Sequence, residues 1–316
     1  MIGIAIYVGT HDGFFHGDDV FGYAILSLLY DDITLIRTRN PDRLKKCDIL
    51  FDIGETYDPQ RKIFDHHSLE SPIRNNGIPY ASAGLLWDFF GRMVINKILP
   101  DRTPEEIEEI HFKIDNSIIQ SIDAHDIGYY SSHKVEHYTL SQLISSFLPA
   151  WTEKITAKKL NRRFLNAAKI CRAVLKNNIY YQASLLDAEQ HILNAYYNRT
   201  HPEIIVLDQF IPFNSCILKH SMNIKYVVFK SKRNEWLVQG APCKVGAFVH
   251  KKTFPMEWAG KRGKELDRVT EIKGCIFCHP GRFVVCHKTK EGAIQLALKA
   301  LRAELEPSIK QDTFAP

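Results

Sequence analysis

The chain has 316 residues, of which 45% are hydrophobic and 24% are charged, a composition typical of a folded globular protein that excludes a largely disordered one. Its net charge of +5 permits an anionic partner without requiring one. The seven cysteines are odd in number and scattered, which argues against a disulfide framework and for a reducing compartment.

The first residues of the chain and the lengths of its apolar runs predict its cellular compartment. The opening MIGIAIYVG has no basic region, and its apolar run is too short for a signal peptide. No apolar run approaches the roughly 20 residues that a membrane-spanning helix needs. We therefore expect a cytoplasmic protein with no membrane partner.

The first part of the chain predicts a mostly parallel sheet covered by helices. A strand at 2–9 precedes a helix at 19–30, and strands at 33–38 and 47–54 follow. Their near-continuous apolar runs are typical of parallel strands that are buried on both faces.

Helices come next, at 81–99, 103–123 and 157–197. Thr103 is a suitable N-cap and precedes Pro104 and several acids, the usual start of a helix. Short strands and a final helix follow, at 203–208, 224–230, 235–241, 274–279, 282–288 and 290–305. We expect an α/β fold with a catalytic domain at 1–150, a helical connector at 151–200 and a smaller α/β substrate-binding domain at 201–316.

Four short stretches combine histidines with carboxylates. They hold His11, His16 and Asp18 in THDGFFHGDD, Asp52 at the end of a strand, Asp65, His66 and His67 in FDHHS, and Asp123 with His125 and Asp126 in SIDAHD. Because the carboxyl ends of parallel strands converge on one crevice, side chains of the first two stretches can meet there. The pattern predicts a metal site with nitrogen and oxygen ligands.

The types of ligand narrow the choice of metal. Imidazoles and carboxylates without cysteine suit Mn²⁺, Fe²⁺, Co²⁺ or Zn²⁺ better than a structural zinc site. So many acids indicate two ions that share a carboxylate, and Asp52 is the natural bridge. Two metals roughly 3.5–4 Å apart activate a water and clamp a phosphoryl group. Each stretch taken alone is equally well explained as a turn or a helix cap.

The stretch FDHHS resembles the DHH motif of the DHH phosphoesterase superfamily. The resemblance is closer to one branch, the melanocyte-proliferating-gene family of metal-dependent hydrolases, described as 3′–5′ RNA exonucleases. The residues that carry it span nearly the whole chain, in THDGFFHGDD, DIGETYDPQRKIFDHHS, SIDAHDIG, VLDQFIPF, WLVQGAP, FPMEWAGKRGKEL and GCIFCHPGRFVVCHKTKEGAIQLA.

The resemblance implies a DHH-type domain that holds two divalent ions, with Mn²⁺ expected and Mg²⁺, Co²⁺ or Zn²⁺ as alternatives. One ion would be held by His11, His16 and Asp52, and the other by Asp18, Asp52, His66 and Asp123. His67 would face the scissile phosphate, and Asp65 would orient a neighbouring imidazole. The wider superfamily has Asp where this chain has His16.

Substrate binding is expected in the second domain. Many members of the superfamily use a Gly-rich motif with a His there. This chain has no such run, and we expect CHPGRF, with His279 and Arg282, to take its place, because a guanidinium beside a glycine suits a phosphate oxygen. Lys261 and Arg262 in GKRGK are further candidates for substrate binding, and KSKR at 230–233 is another basic stretch. A basic helix face at 158–176 is either solvated or a track for RNA.

The sequence thus predicts a metal-dependent 3′–5′ exonuclease whose partner is RNA or an oligonucleotide, with DNA and a homodimer left open. The alternatives are a phosphohydrolase of small nucleotides or pyrophosphate, and a non-catalytic RNA-binding module. The stretch CIFCH matches the pattern of c-type haem attachment. We reject a haem site, because the stretch is predicted to be a buried strand, with Cys275 and Cys278 on opposite faces.

Overall fold

The computed structural model describes residues 5–68, 72–129, 137–244 and 249–303. The chain forms two compact units, Met1–Ala183 and Ser184–Pro316, and the division falls within one long helix, Ala157–Tyr197. Each unit contains one five-stranded sheet with helices, so the predicted α/β class is confirmed. Within the described ranges, no helix is both long enough and apolar enough to cross a membrane.

The first unit is built on a mostly parallel sheet. Its strands are β1 (Ile6–Thr10), β2 (Ile33–Arg37), β3 (Ile49–Phe51), β4 (Tyr57–Asp58) and β5 (Ile63–Phe64). They lie in the order β2-β1-β3-β5-β4, and all neighbouring pairs except β4–β5 are parallel. The three neighbours β1, β3 and β5 therefore end at the same edge of the sheet.

Helices cover this sheet and build its core. They are α1 (Gly17–Leu29), α2 (Pro41–Leu44), α3 (Ser82–Ile98), α4 (Pro104–Ile114), α5 (Gln120–Asp126), α6 (Leu140–Ser145) and α7 (Ala157–Tyr197). Helix α1 packs closely on α3 and on the sheet. Gly22 permits this approach, because a Cβ atom there would lie 2.9 Å from the ring of Phe51. Buried Trp87 and Phe90 of α3 belong to the same core.

The helix predicted over 103–123 begins as expected but is not continuous. The Thr103 side chain accepts a hydrogen bond from the Glu106 amide, which confirms the predicted cap. A π-helical turn, Asp115–Ile119, then separates α4 from α5, which extends to Asp126. A π turn holds one residue more than an α turn, so it changes which face α5 presents. The hydrophobic periodicity of the sequence did not reveal this turn, so a single continuous helix was predicted.

The second unit has a mixed sheet. Its strands are β6 (Ile204–Leu207), β7 (Tyr226–Lys230), β8 (Trp236–Gly240), β9 (Cys275–Cys278) and β10 (Val284–His287). They lie in the order β6-β7-β8-β10-β9, and only β6 and β7 are parallel. Its described α-helices are α8 (Asn214–Lys219), α9 (Gly263–Thr270) and α10 (Lys290–Arg302), together with the end of α7, and a short 3₁₀ helix spans Met256–Trp258.

The expected placement of Cys275 and Cys278 on opposite faces is wrong. Both thiols are buried in one core cluster with Val285, Leu266 and Ala297. The pairing of β9 with β10 shifts register between Cys286 and His287, so Cys275 and Cys278 are not related by simple alternation. The two cysteines are part of the hydrophobic core, in keeping with the rejection of a haem site.

Candidate metal centre

Three neighbouring strand ends deliver the predicted metal-binding residues to one place. His11 follows β1, Asp52 follows β3, and Asp65-His66-His67 follows β5. These strands are parallel and adjacent, so their carboxyl ends form one edge. The sequence located two of these ends, and the short strand β5 supplies the third.

Asp52 lies at the centre of the group. Its Oδ2 atom is 3.2 Å from His11 Nε2 and 3.5 Å from His16 Nε2. Its Oδ1 atom is 3.8 Å from His67 Nδ1 and 4.0 Å from His66 Nδ1. The residue has a left-handed backbone with φ 51°, a conformation that Asp and Asn adopt more readily than most residues. The two carboxylate oxygens thus face two different pairs of imidazoles.

Asp19 is a member of the group that the sequence did not single out. Its Oδ2 atom lies 3.3 Å from His11 Nε2, and its Oδ1 atom accepts a hydrogen bond from the His16 amide at 2.9 Å. Buried Arg37 donates to the Gly13 carbonyl at 2.8 Å and lies 3.9 Å from the Asp19 carboxylate. Asp19 directly follows Asp18 in the sequence, and nothing in the pattern decides between adjacent acids.

Asp18 is held by the start of α3. Its carboxylate accepts hydrogen bonds from the amides of Ser82 at 3.0 Å and Ala83 at 2.5 Å. These amides belong to the first turn of the helix, where backbone N–H groups have no intrahelical partner. Asp18 Oδ2 also lies 3.7 Å from His66 Nδ1. The carboxylate therefore fixes α3 against α1 while remaining beside a candidate ligand.

Helix α5 presents two carboxylates with different surroundings. Asp126 contacts His16 Nδ1 at 3.0 Å and His66 Nε2 at 3.2 Å. Asp123, the residue chosen from the sequence, is fully buried, accepts from the Gly84 amide at 3.0 Å and pairs with Arg74 at 2.7 Å. The structure thus brings Asp126 together with the histidines and places Asp123 in an ion pair with Arg74.

Asp65 is positioned to orient His67. Its Oδ1 atom accepts from the His67 ring Nδ1 at 2.7 Å and from the His67 amide at 3.2 Å, and its Oδ2 atom accepts from the Glu55 amide at 2.7 Å. Asp65 is buried, whereas His67 is exposed and its ring stacks on that of His66 at 4.2 Å. The carboxylate fixes the ring and leaves Nε2 as the nitrogen available to a ligand.

The crowding of charges shifts several pKa values. Burial works against the charged form of His16, but its hydrogen bond to Asp126 and the charges of Asp19 and Asp52 outweigh burial and raise its pKa to about 10. The same balance, with Asp126 and Asp18, raises the pKa of His66 to about 9. The imidazoles thus serve as counter-charges of the acids.

The acids shift in two directions. Burial and the neighbouring Asp52 charge raise the pKa of Asp18 well above its usual value, and burial raises that of Asp19 to about 6. Burial also raises the pKa of Asp123 to about 7, against the attraction of Arg74. Asp126 is the exception, because its hydrogen bonds to His16 and His66 outweigh burial and lower its pKa.

The donor atoms fit divalent metal ions. Three sets each place their ligand atoms within 4.8 Å of one another, namely His11, His16, Asp19 and Asp52; Asp52, Asp65, His66 and His67; and Asp18, His66 and Asp126. Both Asp52 oxygens, His11 Nε2 and Asp19 Oδ2 are buried without a hydrogen-bond partner in the described structure. Buried polar atoms normally have partners, so these orphaned atoms fit a site that binds a divalent cation.

The residues expected to bind substrate all lie in the second unit. His279 Nδ1 accepts a hydrogen bond from the Gly281 amide at 2.9 Å, and Arg282 donates to the Phe254 carbonyl at 3.3 Å. The Lys261 carbonyl accepts from the Cys278 amide, and the Arg262 guanidinium lies 4.9 Å from the centre of the Phe277 ring. These four residues surround one end of β9.

Replacing Gly84 by Ala is expected to destabilise the first unit by about 1–3 kcal/mol, because overpacking a close-packed site costs that much. A Cβ atom at this position of α3 would collide with the Asp123 carboxylate and approach Arg74. Urea unfolding measures the loss. Asn96→Ala, at an exposed position of the same helix, is the control and should leave stability nearly unchanged. Equal stability of Gly84→Ala and wild type would contradict the close contact.

Comparison with known proteins places the chain in a family. A family model for MYG1 exonucleases, described as an uncharacterised protein family (UPF0160), matches residues 7–301. A MYG1 protein of Dictyostelium discoideum is 30% identical over 92% of this chain and 95% of the relative. A MYG1 protein of Schizosaccharomyces pombe is 31% identical, covering 94% and 97%.

A human relative, named MYG1 exonuclease, is 30% identical over 93% of this chain and 85% of its own length. No solved structure matches the chain significantly. The matched region contains all the histidines and carboxylates of the candidate centre, which lie between His11 and Asp126. The resemblance read from the motifs is confirmed, and the chain belongs to the MYG1 family.

Proposed function

We propose that this chain is a metal-dependent 3′–5′ exonuclease of the DHH type that hydrolyses phosphodiester bonds of RNA, with DNA as the alternative polymer. The observation that carries the proposal is the position of Asp52, whose two oxygens face different pairs of imidazoles. Mammalian relatives of the chain are named exonucleases, and this supports a hydrolase that acts on phosphodiester bonds.

The proposed ligand sets share Asp52. One ion would be held by His11, His16, Asp19 and Asp52, and the other by Asp18, Asp52, His66 and Asp126. Asp19 is added and Asp126 replaces Asp123 in the sets implied by resemblance, because Asp123 is already paired with Arg74. Imidazole and carboxylate ligands without cysteine suit Mn²⁺, the ion implied by the family resemblance, and also Fe²⁺, Co²⁺ or Zn²⁺.

The chemistry divides between the ions and the side chains around them. Bound divalent ions would supply a nucleophilic hydroxide at neutral pH and stabilise charge on the phosphoryl group. His67, oriented by Asp65, is the exposed group beside the ligands and would hydrogen-bond a phosphate oxygen through Nε2. Arg37 holds the first loop through Gly13 and so keeps His11 and His16 in place.

The proposal is tested by incubating the purified chain and Mn²⁺ with RNA, DNA and dinucleotides. Each substrate is labelled at its 5′ or 3′ end, and the products are identified. Stepwise release of mononucleotides from the 3′ end of RNA is the expected result. Cleavage of dinucleotides alone would favour a small-substrate phosphohydrolase. Full metal occupancy with no turnover of any phosphoester would overturn the proposal.

His67→Ala is expected to lower kcat by about 100-fold or more, because it removes a group that stabilises transition-state charge. Its metal content, measured by elemental analysis, should remain near that of wild type. Asp65→Asn should also lower kcat while leaving His67 in place, since the ring loses the carboxylate that orients it. Loss of bound Mn²⁺ in His67→Ala would show instead that His67 is a ligand.

A further inference from the structure

The second unit has a cavity of about 640 Å³ on the surface of its sheet. Leu237 of β8, Cys286 of β10 and Phe277 of β9 are paired residues on neighbouring strands and form its floor. A backbone bridge between Phe277 and Arg262 extends this row by one more residue. The volume lies within the roughly 300–1,000 Å³ of small-molecule sites.

The walls of the cavity carry an excess of positive charge. Lys232 and Arg233 come from the turn between β7 and β8, and Arg262 precedes α9. Among the described residues that line the cavity, Glu235 is the only acid. The side chains of Lys232, Arg233 and Arg262 are exposed, so they can reach an anion without breaking a buried contact. Three cations and one carboxylate suit a ligand that carries phosphate and also has N–H donors.

Flat groups continue from this cavity along the surface. The Arg262 guanidinium lies 4.9 Å from the centre of the Phe277 ring. The Phe277 ring is followed by those of His279 and Phe283, with centroid separations of 6.1 Å and 4.3 Å, and Phe283 is stacked on His250 at 5.6 Å. The four rings are half-buried, so each keeps an accessible part. Nucleobases stack on aromatic rings and on guanidinium planes.

We propose that the cavity formed by Phe277, Arg262 and the 232–233 turn is a binding subsite for a nucleotide of single-stranded nucleic acid. This inference rests on the proposed function and adds a place on the second unit that holds the substrate chain. One base stacks on the Arg262–Phe277 surface, and Lys232 and Arg233 bind the adjoining phosphates. Glu235 accepts a hydrogen bond from the N–H groups of a base edge.

Binding is measured with the full chain in EDTA, so that hydrolysis does not contribute. The probes are fluorescein-labelled single-stranded 12-mers of RNA and of DNA, followed by fluorescence anisotropy at several salt concentrations. Lys232→Gln/Arg233→Gln should weaken binding and reduce the slope of log Kd against log salt by about 1.4, since each phosphate contact on a single strand contributes about 0.7. Phe277→Leu should weaken binding on the order of 10-fold with an unchanged slope.

The matched control removes two positive charges from the same unit outside the cavity. Arg268→Gln/Lys288→Gln changes two exposed residues that do not line it and should leave affinity and slope near those of wild type. Thermal unfolding checks that Phe277→Leu retains its fold. Equal weakening by the control and cavity variants, or wild-type affinity of the cavity variants, would overturn the subsite.

The same measurements distinguish RNA from DNA as the ligand, and they distinguish failure of the subsite from failure of the exonuclease proposal. Tighter binding of the RNA or of the DNA 12-mer by the cavity identifies the natural strand, and binding of neither overturns the subsite. Cavity-dependent binding in EDTA with no hydrolysis in Mn²⁺ would leave the subsite standing and defeat the exonuclease proposal. Hydrolysis of oligonucleotides whose binding does not depend on Phe277, Lys232 or Arg233 would support the exonuclease proposal and overturn the subsite.

Discussion

Replacing Asp52 by Asn is expected to abolish both the binding of Mn²⁺ and the hydrolysis of oligonucleotides. The two oxygens of Asp52 face separate imidazole pairs, so one substitution removes a ligand from both proposed ions. Asn is the appropriate replacement, because it keeps the shape of the side chain and tolerates the left-handed backbone at φ 51°. Activity should fall by at least about 1,000-fold, and the loss should persist at high metal concentration.

Metal-induced stabilisation gives a readout that does not depend on activity. A ligand at 100 times its Kd stabilises a folded protein by about 2.7 kcal/mol. Wild type should therefore gain Tm with Mn²⁺, and Asp52→Asn should not. Asp12→Asn is the control, since this exposed acid lies in the same first loop and contacts Arg39. Normal metal content in Asp52→Asn would rule out its role as the shared ligand.

Substitutions of Asp126 and Asp123 are expected to have opposite consequences. Asp126→Asn should lower Mn²⁺ affinity by more than about 100-fold, because it removes a carboxylate that contacts both His16 and His66. Asp123→Asn should retain metal but lose about 3 kcal/mol of stability, since it breaks a buried ion pair with Arg74.

Isothermal titration with Mn²⁺ and urea unfolding of the same two variants separate these effects. Arg74 also contacts Asp115 at 2.7 Å, so the loss in Asp123→Asn should lie at the low end of the range for buried pairs. Loss of Mn²⁺ binding in Asp123→Asn, combined with normal binding in Asp126→Asn, would restore the assignment implied by the family resemblance.

The sequence predicted the larger elements because their apolar runs are long. The limits 157–197 for α7 agree with the structure, and the strands at 33–38 and 47–54 contain β2 and β3. The two-residue strands β4 and β5 could not be found in this way, because two residues show no periodicity. The second sheet has one parallel and three antiparallel pairings. This arrangement could not be predicted, because the pattern of one strand does not show which other strand it pairs with.

For the candidate centre, the sequence located the neighbourhood better than the individual residues. Strand ends explain why His11 and Asp52 were identified, since both follow apolar runs. The choice between Asp123 and Asp126 depends on Arg74, which lies 49 positions before Asp123 in a segment with no motif. The choice between Asp18 and Asp19 depends on the amides at the start of α3. Neither kind of long-range contact is encoded in local spacing.

The π-helical turn at Asp115–Ile119 has a consequence for how this protein tolerates insertions and deletions. The Gln120 amide reaches back to the Asp115 carbonyl across the widened turn. Deleting one residue there would restore an ordinary helix and rotate everything downstream by about 100°. Asp123 would then lose its contact with Arg74, and Asp126 would lose its contacts with the histidines. Both losses would occur although the sequence still contained every residue of the centre. An insertion or deletion in this turn should therefore impair metal binding more severely than most single substitutions.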